Sequence, residues 1–284
     1  MIPSPDDVKA AWNEWSDVYS RRYERNNVTF AISLSSMLQI FEEKPAKILE
    51  VACGSGVFSR YLAQNVEHEC DLTAIDVSEE MIARAKSFST KFPSMPNIKV
   101  CYEAGDAEDL SKIADESVDV YIANFCLHLV SDPKKMLQEL KRVLKKGKRF
   151  GVSVLGPSER VTMLSALPPL LKQLAEEIPA LKPEKEMRSL FYMGNKEDLV
   201  KLIEDAGLEV DYCWYQRSSF NCMTVEDYES FLLETPNFKN LIGKLNEEER
   251  KRVLEAARKR LKEAFVDQKE PGMNEGLLLV GRKP

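Results

Sequence analysis

A chain of 284 residues with 44% hydrophobic and 30% charged side chains has globular composition, and enough length for one large domain or one domain with insertions. Its formal net charge of −6 leaves no overall surplus of Lys and Arg to neutralise phosphates, so nucleic acid is not an expected partner. Nowhere do 18 apolar residues run together, and Met1 to Tyr19 lacks a basic-then-apolar leader, so a cytoplasmic protein without membrane insertion is expected.

In chain order, Asp6–Arg25 and Val28–Phe41 read as two helices ahead of a first strand, Ile48–Ala52. Short β-branched runs then alternate with amphipathic stretches: helix Ser55–Ala63, strand Leu72–Val77, helix Glu79–Phe88, strands Ile98–Ala104 and Val118–Phe125, helix Pro133–Leu144 and strand Phe150–Leu155. Asp132-Pro133 is a sound helix start, because Asp caps free N–H groups and Pro tolerates the first turn. The basic run into Gly147 is the matching helix stop.

A mostly helical region follows from Ser158 to Leu181, then helix Lys196–Ala206 closed by Gly207, strand Leu208–Gln216, helical stretch Thr224–Phe265 and the apolar strand Leu277–Val280. The pattern predicts an α/β fold, a seven-stranded, mostly parallel sheet with helices on both faces, plus a helical N-terminal cap and helical inserts. The expected units are 1–44 as the cap, 45–156 as the ligand-binding core, 157–195 as a helical insert, and 196–284 as the rest of the sheet with a further insert near 224–266. Together they are expected to form one compact domain.

Six cysteines, Cys53, Cys70, Cys101, Cys126, Cys213 and Cys222, include no C-x-x-C pair, and the two histidines have no zinc-ligand spacing. They read as reduced, mostly packed thiols, with no metal expected. In Asn246–Phe265 the apolar Val253, Ala256, Ala257, Leu261, Ala264 and Phe265 recur at helical spacing opposite a basic face. That face could suggest RNA or lipid, but the interleaved Glu247 to Glu249 and Glu255 favour a solvated helix side, and Lys141–Arg149 is read in the same way.

The densest chemical signal is Ile48-Leu49-Glu50-Val51-Ala52-Cys53-Gly54-Ser55-Gly56, a strand running into a glycine turn and then a helix. Residues without Cβ let backbone approach a ligand, and the helix start offers free N–H groups, so a nucleotide-like ligand fits there. Asp76 ends the second strand 20 residues beyond Gly56, where a carboxylate can accept hydrogen bonds from both hydroxyls of a ribose. A nicotinamide dinucleotide site uses the same turn and acid, but its third glycine is absent from Gly54-Ser55-Gly56-Val57-Phe58-Ser59.

Taken in order, Glu50-x-x-x-Gly54-x-Gly56, Asp76, Gly105-Asp106-Ala107, then Asn124 and His128 before Asp132 resemble the successive motifs of class I S-adenosylmethionine-dependent methyltransferases, the small-molecule type of ubiquinone and menaquinone biosynthesis. The resemblance covers Trp12 to Leu155 and implies a Rossmann-like core. It implies that the Cys53–Gly56 turn faces the methionine and ribose part of S-adenosylmethionine, and that Glu50 orients that turn and the cofactor amine. Asp76 would hold the ribose hydroxyls, while Val77 and Met81 pack on the adenine. Asp106, after Gly105, would accept from the adenine amino group, Ala107 would donate its backbone N–H, and Asn124 and Phe125 would lie beside the sulfonium.

Two positions depart from the family: Ala52 replaces the first glycine and should tighten the turn, and Lys146-Gly147-Lys148 replaces Pro-Gly-Gly in what is expected to be a loop. Trp12, Trp15, Ser16, Tyr19 and Tyr23 resemble the family's aromatic segment that folds over the cofactor, with Tyr19 the expected contact; the plainer reading is a helix docked by its aromatics.

The implied function is methyl transfer to a small-molecule acceptor, with His128 as a candidate general base after the fourth strand. A packed His128 without a catalytic role is the plainer alternative. The acceptor pocket is expected among the outlying helices, with Met163, Leu167, Leu170, Leu171, Phe191, Tyr192 and Met193 as candidate lining. An RNA or protein methyltransferase, a nicotinamide-dependent oxidoreductase and a non-catalytic cofactor binder stand as alternatives. Asn124-Phe125-Cys126-Leu127 lacks the Asp/Asn-Pro-Pro-Tyr motif of nitrogen-directed nucleic-acid enzymes.

Overall fold

The computed structural model describes residues 2–90, 97–183, 188–220, 224–267, 269 and 271–284; Cys222 lies outside them. The chain opens with helix α1 (Pro5–Val18), passes through a π-helical turn at Tyr19–Tyr23, and continues as α2 (Glu24–Met37) and the short α3 (Ile40–Glu43). Ser4 caps α1 in a reciprocal box with Asp7. Where two helices with a break near residues 26 and 27 were expected, one helical run is found, and the irregularity is an inserted π turn. Helical periodicity survives one extra residue in a turn, so the sequence pattern reads either way.

Seven strands follow in chain order: β1 (Lys47–Val51), β2 (Cys70–Asp76), β3 (Ile98–Ala104), β4 (Val118–Ala123), β5 (Leu144–Leu155), β6 (Glu209–Ser219) and β7 (Met273–Arg282). Their spatial order is β3-β2-β1-β4-β5-β7-β6, parallel through β5 and antiparallel where β7 meets β5 and β6. Between them run α4 (Val57–Asn65), α5 (Glu79–Ser89), α6 (Pro133–Val143), α7 (Thr162–Ser165), α8 (Pro168–Leu174), α9 (Lys196–Asp205), α10 (Val225–Glu234), α11 (Pro236–Gly243) and α12 (Glu247–Leu261). The Lys146-Gly147-Lys148 stretch, expected as a loop, lies within β5. Pairing jumps there from Val118 with Leu144 to Val120 with Arg149, so the surplus residues form a bulge at Gly147, φ 73°.

The sheet is covered on both faces. Leu277 and Leu279 of β7 join one core with α6 and α9, while Leu278 and Val280 join the other with α2 and α4, the period-2 alternation of a strand. At Gly151 of β5 a Cβ would lie 3.0 Å from Leu38, so glycine there lets α2 press onto the sheet. A third apolar cluster joins the insert to α10, α11 and α12 and reaches Tyr23. The helical end of the molecule is therefore packed onto the N-terminal segment. No helix among the described residues is long and apolar enough to cross a membrane.

Candidate active site

The strand order reverses between β1 and β4, and open α/β sheets bind ligands at the C-terminal ends of the strands at that switch. β1 leaves the sheet at Val51 and turns through Ala52, Cys53, Gly54, Ser55 and Gly56 into α4. Ala52, Gly54 and Gly56 have φ of 58°, 56° and 76°, all in the left-handed region. A Cβ on Gly56 would also come within 2.8 Å of the Tyr102 ring, so glycine is needed there for both reasons. Ala52 adopts that conformation with its Cβ in place, which costs about 1–2 kcal/mol.

Asp76 stands at the end of β2 beside this turn. Its Oδ2 accepts the Gly54 N–H at 2.9 Å and its Oδ1 the Ser78 N–H at 2.9 Å. Each oxygen keeps a further lone pair. Burial pushes its carboxyl up to about 6. Glu50, behind the turn, takes the Ser59 hydroxyl; burial, with the charges of Glu24 and Asp76 adding to it, pushes Glu50 up to about 8.

Glu24, the first residue of α2, completes the acidic group, and the sequence reading missed it. Its carboxylate accepts the Ser55 N–H at 3.0 Å and the Ser55 hydroxyl, and burial raises its pKa. The available signal was an acid set in the basic run Arg21-Arg22-Tyr23-Glu24-Arg25, on a segment expected to fold over the site.

A cleft of about 690 Å³, its mouth included, opens over these groups. Of the predicted contacts, Tyr19, Ala52, Gly54, Asp76, Val77 and Met81 line it, as do Gly105, Asp106, Ala107, Asn124 and Phe125 from the ends of β3 and β4. Glu50, Cys53 and Gly56 do not: Cys53 turns inward against Ala74, Ile82 and Ala85, and Gly56 packs on Tyr102. Pro5, Val8 and Trp12 of α1 form the roof, with Trp12 edge-on to Tyr19 at 5.3 Å.

The Asn124 amide is engaged within the protein. Its Nδ2 donates to the Asn27 carbonyl at 3.0 Å, and its Oδ1 accepts from the Ser153 hydroxyl at 2.7 Å. Ser153 Oγ in turn accepts the Phe125 N–H at 2.8 Å and holds Phe125 at φ 53°. Asn124 thus ties α2 to the sheet at the floor of the cleft.

A second cavity of about 890 Å³ adjoins the first, and Trp12, Tyr19, Phe125 and Leu129 line both. His128 lines only the second. It is 3% exposed, and burial, with the Arg188 charge beside it, holds its pKa down to about 3. The ring is therefore neutral throughout the working pH range, and a rate limb near the ordinary histidine value is not expected from it.

None of the seven insert residues named as lining borders this cavity. Met163 and Leu167 are buried in the helical cluster, with Leu170 and Leu171 packed against it. Met193 joins the sheet core, Phe191 packs on its other face, and Tyr192 lies under the Arg188 guanidinium at 4.3 Å. Their neighbours Leu164 and Leu190 border it instead. Apolar composition marks an insert as packed and leaves open which face is lined.

Residues 49–152 match the family described as "Methyltransferase domain". The chain is 29% identical over 208 residues to a Staphylococcus aureus demethylmenaquinone methyltransferase, covering 66% of this chain and 80% of the relative. It is 26% identical over 168 residues to a Paenibacillus malonyl-[acyl-carrier protein] O-methyltransferase, covering 59% of this chain and 56% of the relative's length. Among solved structures, the complex between the Haloferax volcanii Trm112 methyltransferase activator and a methyltransferase matches with TM-score 0.57 at 18% identity, over 98% of this chain and 97% of that one. The [4+2]-cyclase SpnF matches with TM-score 0.57 at 16% identity, over 100% and 97%. At those identities the structures speak for the fold alone, and the cyclase is a reminder that a fold does not fix a reaction. The domain match over residues 49–152 and the named relatives identify a methyltransferase domain of S-adenosylmethionine-dependent type in this chain.

Proposed function

We propose that this enzyme transfers a methyl group by in-line displacement to a small molecule held in the second cavity. The observation that carries the reading is the shared wall of Trp12, Tyr19, Phe125 and Leu129, which sets an apolar chamber directly against the cofactor cleft. S-adenosylmethionine, when bound, supplies an electrophilic methyl group on a cationic sulfur. The cleft's own groups fit such a ligand: Glu24, Glu50 and Asp76 place three buried carboxyl groups around the glycine turn, and a cation beside them favours their ionised form. Buried carboxylates favour a cation and oppose a pyrophosphate. Moreover, the Gly54 and Ser55 N–H groups that would seat a dinucleotide's phosphates already bond to Asp76 and Glu24. This argues against the nicotinamide alternative.

Within this reading Asp76 holds the ribose hydroxyls through its remaining lone pairs, and Val77 and Met81 offer the adenine an apolar shelf. Asp106 and the Ala107 N–H recognise its edge, while Glu50 and Glu24 act from behind the turn by holding Ser59 and Ser55. Tyr19 and Trp12 exclude water, which a displacement on a sulfonium needs more than acid–base machinery. His128, neutral and facing the acceptor chamber, takes the acceptor's proton.

The RNA or protein reading loses support from the basic stretches. On α12, Arg252 pairs with Glu177 and Arg258 with Glu229. Around Lys141–Arg149, Arg142 pairs with Glu139 and Asp115, Lys145 with Asp119, and Arg149 with Glu43.

The test is to incubate the protein with methyl-labelled cofactor and separated cell fractions. Label is expected in an organic-soluble small molecule. Label confined to RNA or protein would overturn the small-molecule reading.

A further inference from the structure

Away from the cleft, the sheet has an open edge. β3 is its terminal strand, parallel to β2 and with no strand on its other side among the described residues. The Asn97 carbonyl accepts the Cys70 N–H at 2.9 Å, and the Gly105 N–H donates to the Asp76 carbonyl at 3.0 Å. Backbone direction alternates along a strand, so Lys99, Cys101 and Glu103 turn their backbone groups to β2. Ile98, Val100, Tyr102 and Ala104 therefore point their N–H and C=O groups away from the sheet. Such a row of outward groups is a template for another strand.

The side chains divide in the same way. Tyr102 is buried in one cluster with Ala85 of α5, and Val100 packs against it. Lys99, Cys101 and Glu103 stand exposed on the opposite face, where residues 105–117 cross to β4 without a helix. Glu103 Oε1 accepts from the Cys101 thiol at 3.2 Å, and among the described residues neither Lys99 nor Glu103 has an ion-pair partner.

The run Lys99-x-Cys101-x-Glu103 is complementary to itself. In an antiparallel pair about a two-fold axis at Cys101, Lys99 lies opposite Glu103 of the second copy, and Glu103 opposite its Lys99. Val100 then faces Tyr102, and Ile98 faces Ala104, each pair exchanging backbone hydrogen bonds from the groups that point outward. Cys101 meets its own copy in a pair without backbone bonds, where Cα atoms lie about 4.5 Å apart. Sliding the strands by two residues either way separates both charge pairs. Charges on an edge ordinarily discourage pairing, but unlike charges set directly opposite stabilise it and select the register.

We infer that the β3 edge docks a second copy of this chain, joined antiparallel about Cys101, so that two sheets run on as one. The contact is isologous, each copy offering the same strand. Because the strands are antiparallel, the two clefts open at opposite ends of the joined sheet.

Sedimentation velocity over a concentration series reads the association, and wild type is expected to pass reversibly from monomer to dimer. K99E sets Glu opposite Glu, and E103K sets Lys opposite Lys, twice each by symmetry. Either reversal alone should weaken self-association about tenfold or more. An equimolar mixture of the two variants brings unlike charges together again at both pairs, and should recover association as a heterodimer. Diamide, which takes up the two electrons and two protons released as two thiols join, should trap wild type as a covalent dimer, because the Cys101 pair falls within disulfide reach. Cys101→Ser should not be trapped. A wild type that stays monomeric up to about 1 mM would overturn the inference and leave the edge to a strand of another protein. So would a mixture that associates no better than either variant alone, or diamide trapping that persists in Cys101→Ser. The wild-type concentration series does not depend on any variant folding.

Discussion

At the scale of single residues, a buried His128 held near pKa 3 is a weak base that stays in its basic form at neutral pH. Because its pKa lies far below the ordinary value, protonation sets in only as pH falls toward 3, and the rate at saturating cofactor should be level from pH 5.5 to 8.5 as far as this group decides it. Because so weak a base falls at the low end of the usual span of about 10²–10⁴, His128→Ala should lower kcat by about 10² or less, with cofactor affinity within about twofold. Steady-state kinetics on the identified acceptor, beside a cofactor titration, checks this; a variant that keeps most of its kcat makes His128 a packing residue. Ala52 gives the opposite kind of test. It sits at φ 58° where the family has glycine, so Ala52→Gly should relieve strain. A gain of about 1 kcal/mol would raise Tm by roughly 2–4 °C in a protein near this size. An unchanged or lower Tm would show that the left-handed strain is offset by contacts of the Ala52 methyl.

Among the elements, α1 and the π turn do what no strand does: they roof the cleft with Pro5, Val8, Trp12 and Tyr19. Removing residues 1–15 should leave the circular dichroism of the sheet core largely intact, since α2 retains Phe30, Leu34 and Leu38 on the sheet. Cofactor affinity should fall because water then reaches the site. Full affinity in a folded truncated protein would make α1 dispensable. The strands that frame the site were legible in the sequence because their signals are local. Ile98–Ala104 is bounded as expected, and Asp132 caps α6 through the N–H groups of Lys134 and Lys135. The bulge at Gly147 was not legible, because its pairing with β4 is a non-local choice that overrides a local helix-stop pattern.

For the whole molecule, the motif order from Glu50 to Asn124 could be read because each residue stands at a strand end, and the sheet brings strand ends together by topology alone. Glu24, Asn27 and Asn274 could not. They reach the site only because α2 lies over β5, β7 and β6 and β7 inserts antiparallel between β5 and β6, so residues 247 apart in sequence share one hydrogen bond. The second cavity is likewise a product of packing between the N-terminal run, the loop after β4 and the insert. As proposed, the cleft at the β1–β4 switch takes S-adenosylmethionine and Asp76 grips its ribose. Titration calorimetry with S-adenosylhomocysteine and with NADH, on wild type and a folded Asp76→Ala variant, tests it most directly. Stoichiometric S-adenosylhomocysteine binding is expected, roughly tenfold or more weaker in the variant, because a hydrogen bond to a charged acceptor is worth about 1.5–3 kcal/mol, with no NADH binding. Tight NADH binding without S-adenosylhomocysteine binding, or an unchanged affinity in the folded variant, would contradict it.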